Sequence, residues 1–348
     1  MVLNNTAFAL VAGMLIKVII TEAFARRILP TSYRACSKSK VTLSSNMSST
    51  SSFGGNAMKS NSRAAVYGKP TESKGNILLL GGSGFLGSAI AKRALLEGYE
   101  VTSISRRGKQ NQQSDGDDIL GKVKYIQGDA RDAETIKQEL SIALEKSRPY
   151  TAIIHTIGLL LDGKSGLGRY NQFASGSGSL PDPDSTYDDI TRKTAFNALE
   201  AAENIETSES FSKTEEFGKK GRPLPFVFIS AAEAGWPDMT GGSFIENYLA
   251  PEWLRRYLVA KRSVEDRLIR AKDTIRPVIF RPSLIFSFDR LMSLAPVGAF
   301  FLGNKIGLPF VDRPVTVQAL AAAVVRSLED DSVRGVQRYR EIDALGSR

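Results

Sequence analysis

A glycine-rich turn at residues 81–87 constrains the fold of this chain more than any other feature. The turn reads Gly81-Gly82-Ser83-Gly84-Phe85-Leu86-Gly87 and follows directly on the continuous apolar run Ile77–Leu80. Residues 88–98 then show helical spacing up to a glycine, and residues 99–105 form a second strand-like run. An apolar run typical of a buried parallel strand, a glycine turn and a helix together predict a βαβ unit.

Within this unit each glycine of the turn has a mechanical interpretation. Gly81 lets the chain turn out of the strand, Gly84 lets backbone N–H groups approach a pyrophosphate, and Gly87 lets the helix pack close to the sheet. Phe85 and Leu86 of the turn are further cofactor-site candidates, and the N-terminus of the following helix stabilises an anion by about 0.3–2 kcal/mol. The alternative is a strand-turn-helix that uses glycine only for its shape, but the flanking elements favour a dinucleotide site.

The end of the second predicted strand bears on the choice of dinucleotide. An acidic residue at this point accepts hydrogen bonds from the ribose 2′-hydroxyl and repels a 2′-phosphate. Here the sequence reads Ser105-Arg106-Arg107, without an acid. A hydroxyl and two guanidinium groups suit a phosphate, so the sequence favours NADP(H) over NAD(H). The alternative is that these arginines are the solvated end of a strand.

Further strand-like runs at residues 123–128, 151–157 and 226–230 alternate with helical segments. This alternation predicts an α/β fold with a doubly wound parallel sheet of the Rossmann type and a small C-terminal extension on the substrate side. Such sheets bind ligands at the carboxyl ends of their strands. The cofactor-site candidates at these ends are Asp129, Ala130, Thr156 and Gly158.

The chain contains one cysteine, Cys36, and one histidine, His155. These counts exclude a disulfide within the chain and a Cys/His metal cluster, and we predict no metal site. His155 lies inside an apolar run, which favours a buried, hydrogen-bonded histidine over a catalytic one.

The net charge of +9 is concentrated at the N-terminus. Residues 1–74 hold ten basic and two acidic side chains, which leaves 36 basic and 35 acidic residues in the rest of the chain. The predicted folded part is therefore nearly neutral, and we expect no binding to nucleic acid.

The N-terminal residues have the composition of a targeting segment. Residues 7–20 are apolar except for Lys17, and this run falls short of the roughly 20 apolar residues that span a membrane. A stretch rich in Ser and Thr follows, almost without acids, which is typical of an organellar transit peptide. We predict a leader at 1–60, a flexible linker at 61–75 and a single Rossmann domain at 76–345. The favoured location is the mitochondrion; a plastid, a membrane anchor and a secretory signal are the alternatives.

Tyr257 and Lys261 are four residues apart and share one face of a predicted helix. A neighbouring ammonium lowers the pKa of a phenol by roughly 1–3 units, which suits a tyrosine that donates a proton to a carbonyl during hydride transfer. Such spacing is common by chance, but its place downstream of the βα units favours this interpretation.

These motifs together resemble the extended or atypical branch of the short-chain dehydrogenase/reductase superfamily. The resemblance covers about residues 76–340 and is closest to the mitochondrial Rossmann accessory subunit of respiratory complex I and to NAD(P)-binding proteins associated with coenzyme Q biosynthesis. The motifs that carry it are GGSGFLG (81–87), GDARD (128–132), IIHTIG (153–158), FVFISAA (226–232), YLVAK (257–261) and RPSLIF (281–286).

The resemblance implies roles for particular residues. Tyr257 takes the place of the general acid/base, Lys261 binds the nicotinamide ribose, and Pro282 of RPSLIF borders the cofactor. The hydroxyl that polarises the substrate carbonyl lies about 25 residues before the tyrosine in this branch, and that position is Ala232. Ser230 is the catalytic candidate in its place, but two residues of extended strand span about 7 Å, so a bulge must bring it there.

We predict that two segments, 162–189 and 282–315, lie on the substrate side of the sheet. The second of them contains the largely apolar stretch 291–311. The stretch is interpreted as core or lid, or as a surface for a quinone or another lipophilic ligand, the inner membrane or a partner complex. The favoured hypothesis is an NADP(H)-binding auxiliary protein on the matrix side of the inner membrane, acting in coenzyme Q biosynthesis or respiratory-chain assembly. The alternatives are an active NADPH-dependent reductase of a lipophilic carbonyl compound and a scaffold without nucleotide.

Overall fold

Seven parallel strands form the central sheet of the computed structural model, which describes residues 73–109, 118–166, 181–206, 223–288 and 312–347 and the single positions 168 and 305. The strands of this sheet are β1 (Asn76–Leu80), β2 (Glu100–Ser105), β3 (Lys124–Gln127), β4 (Ala152–His155), β5 (Leu224–Ile229), β6 (Ile275–Phe280) and, after a separate pair of short strands, β9 (Gly335–Gln337). The predicted leader and most of the predicted linker lie outside the described residues, so the domain boundaries stay a prediction.

The strand order is β3-β2-β1-β4-β5-β6-β9, with every pairing parallel. The order reverses between β1 and β4, which is the topological switch point where doubly wound sheets bind their ligands. Leu80 at the end of β1 lies in register with Ile104 of β2 and His155 of β4. The predicted Rossmann sheet is therefore confirmed, and the chain leaves all three strands at one level.

Helices cover both faces of this sheet. The helices are α1 (Phe85–Leu96), α2 (Ala133–Glu145), α3 (Thr194–Glu206), α4 (Glu252–Arg270), α5 (Val317–Glu329) and α6 (Tyr339–Gly346). Buried residues of α1, α5 and α6 share one apolar cluster, and those of α2, α3 and α4 share another on the opposite face. None of the helices in the described ranges is long and apolar enough to cross a membrane.

The apolar run of β1 explains this two-layer arrangement. Ile77 and Leu79 pack into the cluster of α1, whereas Leu78 and Leu80 pack into the cluster of α2 and α3. All four side chains are fully buried. Because successive side chains of a strand point to opposite faces, a run without polar residues requires cover on both sides.

The sequence pattern identifies five of the seven strands and misses β6 and β9. The composition of β6 explains why it is missed. This strand contains the fully buried Arg276, whose guanidinium donates to the carbonyls of Ser327 at 3.0 Å and Val333 at 2.8 Å. Arg276 thus satisfies backbone acceptors in the last turn of α5 and in the loop that follows it. A charged residue in a core position obscures the strand pattern in the sequence.

The substrate side carries a second, smaller sheet. Strands β7 (Ile285–Phe286) and β8 (Val315–Thr316) pair in parallel at the two ends of the predicted segment 282–315. The apolar stretch 291–311 lies outside the described residues except for position 305, so its predicted role as a lipophilic surface stays a prediction.

Candidate functional site

The glycine turn closes tightly on itself at the switch point. Gly81 has φ +90, and a Cβ on Gly87 would lie 2.3 Å from the carbonyl oxygen of Gly81. A Cβ on Gly82 would lie 2.5 Å from the Oγ of Ser103. Side chains at these positions would disrupt the turn, which explains the predicted need for glycine.

Gly84 has a different role at the start of α1, and a Cβ there would closely approach one backbone atom. A Cβ there would meet only the carbonyl oxygen of Gly81, at 3.1 Å, and Gly84 caps α1 without a side chain of its own. The first turn of α1, which begins with Phe85 and Leu86, contains no acidic residue. A helix N-terminus with open backbone approach and no competing carboxylate is the chemistry that binds phosphate groups, so this cradle fits a dinucleotide pyrophosphate.

The carboxyl end of β2 brings Ser105, Arg106 and Arg107 beside the cradle. The Oγ of Ser105 has no hydrogen-bond partner within the part of the chain that the structure describes. Arg107 donates to the carbonyl of Ser83 at 3.3 Å, and Arg106 forms an ion pair with Asp182 at 2.8 Å. No acid follows β2 in the sequence, but Asp182 reaches this strand end from a distant segment.

Asp129 follows β3 and is held by a neighbouring guanidinium. Arg131 donates to both of its carboxylate oxygens, at 2.6 and 2.9 Å to one of them. Burial alone would raise the pKa of Asp129, but the hydrogen bonds from Arg131 outweigh it and lower this pKa. Ala130 is buried, and its carbonyl accepts from Asn197 at 3.0 Å. These contacts fix the chain at the carboxyl end of β3.

Thr156 and Gly158 follow β4 on the other side of the glycine turn. The Oγ1 of Thr156 donates to the carbonyl of Leu80 at 2.8 Å, which ties the end of β4 to the end of β1. Gly158 is exposed, and a Cβ there would lie 3.6 Å from the Nζ of Lys261. The cofactor-side residues and the predicted catalytic lysine thus meet at the switch point.

Lys261 extends from α4 to the end of β5. Its side chain is buried, and its ammonium donates to the carbonyl of Ile229 at 2.7 Å. The same ammonium lies 4.8 Å from the ring centroid of Phe228 and 5.5 Å from that of Tyr257. Burial lowers the pKa of Lys261 to about 8, although the carboxylate of Glu265 acts in the opposite direction.

The surroundings of Tyr257 do not produce the lowered pKa that the Tyr-Lys spacing predicts. Burial raises the pKa of Tyr257, and the carboxylate of Glu233 and the phenol of Tyr187 raise it further. Tyr187 packs edge-on against Tyr257 with the ring centroids 5.5 Å apart. The expected lowering of the Tyr257 pKa is therefore wrong, because burial of the phenol and the carboxylate of Glu233 outweigh the ammonium of Lys261.

The strand end at Ser230 and Ala232 has no bulge. The amide of Ser230 donates to the carbonyl of Phe280 at 2.7 Å, and that of Ala232 donates to the carbonyl of Pro282 at 2.9 Å. This alternation continues the regular parallel ladder of β5 and β6, so Ser230 stays two positions before Ala232. The Oγ of Ser230 is buried without a hydrogen-bond partner among the described residues. Pro282 is buried, and its carbonyl holds the amide of Ala232.

His155 is confirmed as a buried histidine at the end of β4. It is fully buried, and its Nε2 lies 2.8 Å from the Oγ1 of Thr194, which itself donates to the carbonyl of Ile190. Nε2 is therefore the donor of the pair. Burial, together with the nearby Lys261, lowers the pKa of His155 to about 3 and keeps the ring neutral.

The sequence pattern misses three residues of this site. Glu233, Asp182 and Tyr187 reach the site through tertiary structure, and no spacing rule connects them with the motifs. Glu233 could have been noticed, because it directly follows the position where the hydroxyl is missing. Burial raises the pKa of Glu233 to about 7, its own backbone hydrogen bond opposes this rise, and Asp312 adds to it. No group of three His, Cys, Asp or Glu side chains in the described ranges is arranged to hold a metal ion.

Residues 77–165 match the NAD dependent epimerase/dehydratase family. The chain resembles the extended short-chain dehydrogenases/reductases. This match covers β1 to β4 and the glycine turn, which are the elements that form the dinucleotide cradle.

Two curated proteins are similar over most of the domain. MIOREX complex component 2 of Saccharomyces cerevisiae is 24% identical over 296 residues, which are 76% of this chain and 98% of the yeast protein. An uncharacterized chloroplastic protein of Arabidopsis thaliana is 25% identical over 294 residues, 78% of this chain and 77% of that protein. Among solved structures, an NADH-dependent reductase responsible for alginate metabolism is 15% identical with a TM-score of 0.50, over 76% of this chain and 95% of that chain. At this identity the last comparison concerns the fold alone.

Proposed function

We propose that this chain is an NADP(H)-binding auxiliary protein on the matrix side of the mitochondrial inner membrane, acting in coenzyme Q biosynthesis or respiratory-chain assembly. The observation that carries the proposal is a contrast within one site. The cradle at Gly81–Gly87 is complete, whereas Ala232 stands where related enzymes polarise a carbonyl and the pKa of Tyr257 is raised. A chain built in this way holds a nucleotide better than it transfers a proton.

The side chains have separable tasks in this proposal. A bound nicotinamide dinucleotide would supply or accept a hydride. The glycine turn and the first turn of α1 would hold its pyrophosphate, and Ser105, Arg106 and Arg107 its adenosine side. Lys261 would face the nicotinamide side, where its ammonium is already oriented by the carbonyl of Ile229. The absent hydroxyl at position 232 removes a donor of the kind that is worth about 2.7–4 kcal/mol of transition-state stabilisation in enzymes.

The relatives support the cellular part of this proposal. The yeast relative is a component of the MIOREX complex, which supports membership of an organellar complex for this chain as well. A mitochondrial complex component and a chloroplastic protein among the relatives agree with the mitochondrion as the location and the plastid as the alternative. A quinone or other lipophilic ligand and a peripheral contact with the inner membrane complete the proposal.

Native mass spectrometry of the protein extracted gently from its own organelle tests the proposal directly. We expect the chain to retain NADP(H) and to carry a partner protein or a lipophilic ligand. A chain that emerges without nucleotide, lipid and partners would contradict the proposal.

The second candidate function is an active NADPH-dependent reductase of a lipophilic carbonyl compound. The observation that favours it is that α4 brings Tyr257 and Lys261 together against Phe228. In this case Tyr257 donates the proton and Lys261 supports it. NADPH oxidation that depends on a quinone-type acceptor and disappears in Tyr257→Phe would favour the reductase. A chain that binds no NADPH at all would favour a scaffold instead.

A further inference from the structure

An acidic side chain reaches the carboxyl end of β2 from 76 residues further along the chain. The Oδ2 of Asp182 lies 2.8 Å from the Nη1 of Arg106 and 3.8 Å from the Nη2 of Arg131. Arg131 is in turn paired with Asp129 at 2.6 Å. These four residues form an adenosine-side charge cluster of two cations and two anions, in which Asp182 is the member that comes from the substrate-side segment.

The position of the cluster gives it a function. In Rossmann folds the end of the second strand is where the adenosine ribose is examined at its 2′ position: a carboxylate favours a free hydroxyl, and an arginine accommodates a phosphate. Arg106 directly follows β2, and its side chain and that of Asp182 are both about half exposed. Arg106 can therefore pair with one anion, and in the structure this anion is the carboxylate of Asp182.

We propose that Asp182 reduces the preference of the site for NADP(H) over NAD(H) by competing with the ribose 2′-phosphate for Arg106. This inference rests on the proposed dinucleotide binding. With NAD(H), the ion pair between Arg106 and Asp182 remains and no charge is left unpaired. With NADP(H), the phosphate displaces Asp182, so part of the gain from the arginine is offset by the loss of the ion pair.

The backbone around Asp182 connects this exchange to the opposite end of the site. The carbonyl of Asp182 accepts hydrogen bonds from both the amide and the hydroxyl of Ser185, at 2.9 and 2.7 Å. The carbonyl of Ser185 accepts from the amide of Gly163, and Tyr187, which packs on Tyr257, donates to the carbonyl of Leu160 at 2.8 Å. Release of Asp182 thus loosens one anchor of a short hydrogen-bonded segment that ends at Tyr187.

The experiment is a titration of the full chain and its Asp182→Asn variant with two probes, 2′,5′-ADP and 5′-AMP, followed by NADPH and NADH. The variant keeps the size of the side chain but removes the competing charge. We expect its affinity for 2′,5′-ADP and NADPH to rise by up to about fivefold, the worth of an exposed ion pair, with 5′-AMP and NADH unchanged. The gain should shrink at high salt, because exposed charges are screened.

Asp184→Asn is the matched control, since it removes the same charge from an exposed side chain two positions away. An equal gain in both variants would assign the effect to bulk electrostatics and overturn the proposal, as would a gain in neither. If the unaltered chain binds NADPH and NADH and Asp182→Asn does not raise the affinity for NADPH, this inference alone is overturned. Unaltered chain that binds no dinucleotide overturns the proposed function and this inference together.

Hydrogen exchange provides a second readout that does not depend on affinity. Amides of residues 184–187 should exchange faster with saturating NADPH than with saturating NADH, because only the 2′-phosphate displaces Asp182. In Asp182→Asn the two nucleotides should give the same exchange in this segment. Identical exchange with both nucleotides in the unaltered chain would contradict the coupling.

Discussion

The ammonium of Lys261 lies 5.5 Å from the ring centroid of Tyr257 but donates its hydrogen bond to the carbonyl of Ile229, at 2.7 Å. The lysine is therefore oriented by the end of β5 and not by the phenol, and the pKa of Tyr257 is set by burial and by Glu233 instead. The two residues that the sequence pairs as a catalytic unit are neighbours whose charges are controlled by different partners.

This relationship leads to a first prediction at Tyr257. Tyr257→Phe should leave the dissociation constant for NADPH within about twofold of the unaltered chain, because the phenol is not part of the cradle. Under the auxiliary function, neither protein oxidises NADPH with quinone-type acceptors, as followed by the absorbance of the reduced nicotinamide. Acceptor-dependent turnover in the unaltered chain, lost in the variant, would contradict the auxiliary function and favour the reductase.

A second prediction separates nucleotide binding from folding at Gly84. This residue caps α1 with φ −80 and ψ 175, a conformation that an N-cap Asp also adopts. Gly84→Asp should therefore retain the fold, with the gain from the side-chain cap offset by the 3.1 Å approach of its Cβ to the carbonyl oxygen of Gly81. It should weaken NADPH binding more than tenfold, because two like charges about 4 Å apart repel by about 4 kcal/mol at an effective dielectric constant near 20.

Gly84→Ser is the control for this prediction, since serine caps the helix without a charge. We expect its affinity for NADPH to fall much less than that of the Asp variant in calorimetric titrations, because serine introduces the same Cβ without a charge. Equal affinities of the Asp and Ser variants would show that the pyrophosphate does not bind at this helix end.

The raised pKa of Glu233 leads to a third prediction, on stability and pH. The pKa is about 7 in the folded chain and 4.5 ordinarily, so between these values the folded state binds more protons than the unfolded state. The stability contribution of Glu233 is therefore present below about pH 4.5 and is lost as the pH rises through about 7. Glu233→Gln should be more stable than the unaltered chain at pH 8, by about 1–3 kcal/mol, with the difference vanishing near pH 4.5.

Denaturant unfolding at a series of pH values measures this difference. Glu252→Gln serves as the control, because Glu252 is 76% exposed and its removal should change stability little at any pH. A difference between Glu233→Gln and the unaltered chain that does not depend on pH would refute the assignment of the titration to Glu233.

A fourth prediction concerns the support of α4 by Arg281. Its guanidinium donates to both carboxylate oxygens of Glu265, which is 2% exposed and lies one turn after Lys261. Arg281→Met leaves this carboxylate buried without its main partner and should destabilise the chain by about 3–5 kcal/mol. The double variant Arg281→Met/Glu265→Leu should recover most of this loss, because it removes the stranded charge as well.

A double-mutant cycle in urea measures the coupling between these two residues. Strictly additive losses would contradict a direct interaction. Nucleotide titration of the double variant reports on the position of Lys261. We expect the affinity for NADPH to fall, because the ion pair holds α4, and with it Lys261, against β5.

Local sequence patterns determined the nucleotide half of this protein. The apolar run Ile77–Leu80 and the glycine turn place the strand, the turn and α1 without reference to the rest of the chain, because each depends on local geometry and on burial of both strand faces. The same holds for the cap of α2, where Asp132 accepts from the amide of Glu134. Strand β6 escaped this reasoning, because the buried Arg276 finds its partners only in the tertiary fold.

The charges around the site were decided by the tertiary structure alone. The sequence by itself predicted a dinucleotide cradle, placed Tyr257 and Lys261 on one helix face, and showed that Ala232 offers no hydroxyl. Only the fold brought Asp182 to Arg106. Only the fold buried Tyr257 and placed Glu233 near it, which reversed the expected direction of the Tyr257 pKa. The physical reason is that a turn or a helix face is specified by neighbours along the chain, whereas electrostatic energies depend on burial and on distances between charges that are far apart in sequence.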